Sequence, residues 1–220
     1  MHLLKRLFVI FLASHAFHSN AANDPGVSVC LMVSDVILFR GEQFNGEYLS
    51  RFRDEEHRTR TNVGHSELSR HTNDLLNYLT LVVDMKHDEL FPWKMTSEVS
   101  ARITPILLLM PEMPVTDADI ARLIAYLNMQ YVFRAYVGTY ELPRELNMSY
   151  LSWDETDLVP VIDKYLTSGD EARYARWNFL KKSFLDMNSA NATLVTVSGR
   201  PYAPVVVDFH SRALIRDLTF

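Results

Sequence analysis

The sequence predicts one α/β or α+β domain behind an export leader. Three observations carry the fold: a β-branched run at residues 27–40, a continuous apolar run at 103–110 leading into a helical repeat, and a turn signal near residue 200. Together they imply a mixed sheet with helices packed on it, a βαβ unit at about 103–141 and a C-terminal β-hairpin.

Lys5 and Arg6 form a short positive region, and Leu7 to Leu12 is unbroken apolar sequence. Small and polar residues follow, with Ser19 and Ala21 spaced as a cleavage site, so residues 1–21 read as a signal peptide and 22–220 as a single exported globular domain. The apolar core falls short of the roughly 20 residues a membrane helix needs. Runs later in the chain are shorter still, so no transmembrane segment is expected in the mature chain.

Val27 to Arg40 is β-rich and stops at Gly41, which predicts one long strand or two short ones. Gly41 to Val63 mixes Arg51, Arg53, Arg58 and Arg60 with Asp54, Glu55 and Glu56. Its charges nearly cancel and it has little helical period, so it reads as a mobile loop. From Ser66 to Lys86 the spacing turns helical: Leu68, Leu75, Leu76, Leu79, Val82 and Val83 make one stripe, with Ser66 placed as N-cap.

Ile103 to Met110 predicts a strand covered on both faces. Thr116 and Asp119 then form a capping-box pattern, and Ile120, Leu123, Ile124 and Leu127 mark a helix face. From Tyr131 the period changes to two, with Tyr131, Phe133, Ala135 and Val137 on one side and Arg134, Tyr136 and Gly138 on the other. That strand would close the βαβ unit.

Beyond an aromatic, irregular stretch at 147–156, a short helix around Leu158 to Leu166 ends near Gly169. Asp170 caps a second helix whose core face is Tyr174, Trp177, Leu180 and Phe184. Thr193 to Ser198 and Pro204 to Phe209 flank Gly199-Arg200-Pro201 as a hairpin, and Ala213 to Phe220 is a last strand.

The 220-residue chain carries 22 Lys and Arg against 27 Asp and Glu. Removing residues 1–21 takes away two basic and no acidic residues, leaving 20 against 27, about −7. Such a balance argues against nucleic acid, whose phosphates demand a basic face. It equally argues against docking on anionic lipid. Cys30 stands alone in an apolar run, so it reads as a buried thiol rather than part of a disulfide framework. Asn147 and Asn191 begin N-x-[ST] sequons, which matter only in a eukaryotic secretory pathway.

Catalytic templates fail one by one. Gly64-His65-Ser66-Glu67-Leu68 resembles the serine elbow of α/β-hydrolases, yet Leu68 stands where that turn needs glycine. Arg40-Gly41 resembles the arginine that opens the active site of ADP-ribosyltransferase toxins, but the paired carboxylates of that family have no counterpart. His57, His65 and His71 lie near Glu55, Glu56 and Glu67, and only Glu67 and His71 have helical metal-ligand spacing, so no metal is expected. The acidic cluster Asp154, Glu155 and Asp157 suits the first turn of a helix. With few, scattered glycines and no paired cysteines, no cofactor is expected either.

The sequence therefore favours a non-catalytic periplasmic or secreted protein of a bacterial envelope, acting through protein contacts. Tyr131, Phe133, Tyr136, Tyr140 and Trp153 are the candidate contact residues, because aromatics dominate interface hot spots. The alternative is a secreted enzyme or toxin using Arg40, His65, Glu67 and His71, brought together by the fold.

Overall fold

The computed structural model describes residues 24–62, 66–85, 91, 94–109, 116–138, 155–187 and 194–219. These residues form eight helices: α1 (Pro25–Gly41), α2 (Gly46–Asn62), α3 (Glu67–Asp84), α4 (Met95–Leu108), α5 (Asp117–Val137), α6 (Glu155–Thr167), α7 (Glu171–Leu185) and α8 (Pro204–Thr219). Among the described residues there is no strand, so the expected α/β mixed sheet, its βαβ unit and its hairpin are corrected to an all-helical fold.

Burial explains the error. Val27 to Arg40 belongs to α1, where 14 of 17 residues are buried. A helix covered on every side has no polar face, so its sequence loses the 3.6-residue period and resembles a buried strand. Local chemistry still sets its start. Asp24 is the N-cap, its carboxylate accepting the Val27 N–H at 3.0 Å, and Pro25 occupies the first turn, where no N–H is needed.

The same holds at the centre of the chain. Residues 103–108 are the end of α4, which carries Pro105 inside its last turn and so lacks one backbone hydrogen bond to the turn before it. The alternation from Tyr131 is the second half of α5, a 21-residue helix with 16 residues buried. Its capping box forms as the sequence indicates, with Thr116 Oγ1 accepting from Asp119 N and Asp119 Oδ2 accepting from Thr116 N. Gly138, at φ 85°, supplies the left-handed residue that ends it.

The segment expected to be a loop is α2. Tyr48, Phe52 and Thr59 are buried beneath it, and pairs such as Arg60 with Glu56 at 3.0 Å stabilise its turns. Helices α3, α6 and α7 fall where the sequence places them, with Ser66 and Asp170 as N-caps. Near residue 200 the expected turn exists, but only as a single bridge between Val195 and Pro201, with Gly199 at φ 76°. Its second flank is not a strand: Pro204 starts α8, which buries Val207, Ser211, Leu214 and Leu218 at helical spacing.

Helix α5 lies against α1 on one side and α8 on the other, and also touches α6. Helix α2 packs on α1, α3 pairs with α4, and α7 bridges α6 and α8. One apolar core draws side chains from all eight helices. Among the described residues, no helix is long and apolar enough to cross a membrane.

Candidate functional site: a closed ionic knot and an open apolar patch

Four charged side chains meet where α1, α2 and α8 converge. Asp35 Oδ1 on α1 accepts from Arg51 Nε at 2.8 Å, from Arg51 Nη2 at 2.5 Å and from Arg212 Nη2 at 2.8 Å. Asp208 on α8 pairs with Arg51 at 2.9 Å and takes Arg212 Nε on both oxygens. Helix α5 adds Asn128, whose Nδ2 donates to Asp208 Oδ1 at 2.9 Å, and Arg51 lies 4.7 Å from the Tyr48 ring centre. Two carboxylates against two guanidinium groups make the knot neutral. Burial pushes the Asp35 carboxyl up to about 6, and the attraction of Arg212 and Arg51 keeps it from rising further.

Paired acids can serve acid–base chemistry only if a substrate reaches them. Here both carboxylate side chains are 2% exposed, and Asp35 Oδ1 and both Asp208 oxygens are held by the arginines. The knot is accordingly a clamp that fixes α2 and α8 to α1. Sequence reasoning missed all four of its residues as a group. They are spread from position 35 to 212, and their sole local signal is the Asp208–Arg212 spacing on one helix.

The residues singled out in the sequence are placed as follows. Arg40 is fully buried, and its Nη1 donates to the carbonyl of Val82 at 2.7 Å, at the C-terminal end of α3. Glu67 and His71 pair at 3.8 Å on the first turns of that same helix, with Glu67 exposed. His71 and Val82 are eleven residues apart, about 16 Å of helix at about 1.5 Å per residue. The fold therefore does not bring Arg40 to His71. His65 lies outside the described residues. Among the described residues, no three His, Cys, Asp or Glu side chains converge as a metal group would require.

Of the five candidate contact residues, Tyr131 and Phe133 are core side chains of α5. The Tyr131 hydroxyl accepts from Ala203 N at 3.1 Å, and its ring meets Tyr202 edge-on at 5.0 Å. Tyr136 is half-buried, lies over Gly41 and donates its hydroxyl to Glu42. Tyr140 and Trp153 lie outside the described residues, as do Asn147, Asn191 and the leader. Cys30 is buried without a disulfide, and burial pushes its thiol up, which makes it inert.

Exposed apolar side chains collect elsewhere. On α8, Val205, Val206 and Phe209 face solvent, Phe209 being 67% exposed. On the adjoining α7, Phe179 is 42% exposed. The His210 ring joins the two helices, 4.5 Å from Phe179 and 5.4 Å from Phe209, centre to centre. Single exposed apolar residues are ordinary on a surface, but adjoining ones mark sites of association. The sequence hid this patch because Val205 to Phe209 reads as a β-rich hairpin arm; read as a helix, the same residues split into buried Val207 and exposed Val205, Val206 and Phe209. Comparison with protein-family models, curated proteins and solved structures finds no match.

Proposed function

We propose that this chain is an exported, non-catalytic protein, periplasmic or secreted, that acts by binding another protein through the α7–α8 surface. The observation that carries the reading is the adjoining exposure of Phe179, Val206 and Phe209 around His210. Aromatic side chains of this kind supply large contact area at low entropic cost. The charged side chains that do gather, around Asp35 and Asp208, are sealed from substrate, which favours binding over catalysis. Export is supported by the basic, apolar and small-residue order of positions 1–21, and by the acidic balance of the remainder, which disfavours nucleic acid.

A photo-crosslinking residue placed at Phe209 in the source cells tests the binding surface. One discrete adduct is expected from Phe209, and none from Leu81, an equally exposed position on α3. Matching adduct patterns from both positions would remove the support for this surface. N-terminal sequencing of the same material is expected to begin at Ala22, or at Asn23 if cleavage follows Ala22. A sequence beginning at Met1 would count against export through a cleaved leader.

A further inference from the structure

We infer that the partner presents a short apolar segment flanked by acidic residues, and that Lys182 and Arg216 receive its two ends; this rests on the α7–α8 surface being the binding site. The arrangement follows from how the two helices run. Arg176 of α7 pairs with Asp217 of α8 at 2.8 Å, while Phe179 meets His210, so rising numbers on α7 match falling numbers on α8. Helices α7 and α8 are therefore antiparallel. Lys182, one turn beyond Phe179, lies toward the N-terminal end of α8. Arg216, seven residues after Phe209, shares its helix face two turns away. The patch thus has an exposed cation toward each end, and among the described residues neither cation forms an ion pair.

The nearby carboxylates do not neutralise them. Asp217 is held by Arg176 and Asp208 by Arg51 and Arg212, while Asp186 keeps its charge on the Ser198 hydroxyl and N–H and has Arg200 attracting it. Glu171 stands two turns before Phe179. A chain that is acidic as a whole therefore has a local basic frame around an apolar centre. Such complementarity chooses partners and speeds their encounter.

The same frame disfavours a second copy of this chain. In a two-fold contact each surface meets itself, so either end would set a cation against a cation. The patch is also small. A stable protein interface uses about 20–30 residues a side, whereas an amphipathic segment needs only a few anchors at helical spacing.

The test uses the chain from Ala22 to Phe220 and two fluorescent helical peptides of about 14 residues. Both carry the same leucine stripe; one has glutamate at its ends and the other has lysine. Anisotropy titrations are expected to show the acidic peptide binding at least about tenfold more tightly, with the gap shrinking in about 0.5 M salt. Phe209→Ser should abolish this binding, and the double change Lys182→Glu with Arg216→Glu should reverse the preference between peptides. Both changes lie on the surface, and unchanged circular dichroism melts would confirm that the fold is retained.

Equal affinity for the two peptides, or no binding of either, overturns the inference. Tight binding that survives Phe209→Ser overturns the surface itself, and the inference with it. Loss of binding in Phe209→Ser without a preference between peptides overturns the inference alone. Capture by phosphatidylglycerol vesicles in place of the acidic peptide, or a dimer that Phe209→Ser dissolves, would identify a different occupant and overturn it also.

Discussion

Asp35 holds a proton more readily in the folded chain than in the unfolded one, because burial raises its carboxyl from 3.8 to about 6. Between those values the folded state binds the extra proton, so this group adds stability as pH falls through about 6. The same contribution is lost as pH rises through that value. Over the whole window it amounts to about 3 kcal/mol, at about 1.4 kcal/mol per pH unit. Asp35→Asn keeps an oxygen for the arginines but cannot titrate. Urea denaturation at pH 4.5 and 7 should therefore show wild type losing stability relative to the variant as pH rises. A wild type that instead gains on the variant from pH 4.5 to 7 would mean the arginines outweigh burial at this carboxyl. Single residues were legible in the sequence where their partners are close in the chain. Ser66, Asp170 and the Thr116–Asp119 box were readable because a cap acts within three residues. Arg40 was not, because the carbonyl it caps belongs to Val82, 42 positions away.

At the scale of elements, α2 is attached differently from its neighbours. Tyr48, Phe52 and Thr59 are its buried residues, and polar contacts hold much of the rest. Arg60 reaches Asn73 and Asn77 on α3, Arg53 reaches Asp84, and Glu56 accepts from Thr80. Exposed contacts of this kind contribute little each, and the Arg53–Asp84 ion pair among them is screened by salt. Raising salt to about 0.5 M should accordingly speed amide exchange in α2 while α1 and α5 stay protected. Exchange of α2 at the same rate as α5 at every salt concentration would show that its apolar anchors and the buried Arg51 pairs suffice to hold it. The element was illegible in the sequence for the same reason. Its buried side is only Tyr48, Phe52 and Thr59, too few to show a helical period, so the stretch looked like a loop; the local signal was in its charges, Arg53 with Glu56 and Arg60 with Glu56, at i,i+3 and i,i+4. Helices α3 and α7 were legible because each keeps one wet face, whereas α1 and α5 lost their period by being covered on all sides.

The whole molecule depends on α5 having both of its flanks filled. Helix α1 covers one and α8 the other, and Val207, Leu214 and Leu218 of α8 are buried against the shared core. The ionic knot ties the same three helices together, since Asp35, Asn128 and Asp208 sit on α1, α5 and α8 respectively. Among the described residues one apolar cluster runs through all eight helices, an architecture that composition alone could not reveal. Removal of α8 would expose the apolar flank of α5 and leave Asp35 with Arg51 as its remaining knot partner on α2. Losing the burial of Val207, Leu214 and Leu218 costs about 1.5–3 kcal/mol for each side chain, in sum comparable with the whole stability of a small domain. A chain from Ala22 to Phe220 should therefore melt in one cooperative transition, and a chain stopped at Ala203 should show helical circular dichroism without such a transition. Cooperative melting of the shortened chain would mean that α1 to α7 form a core sufficient by themselves, with α8 an appended binding helix rather than a wall of the fold.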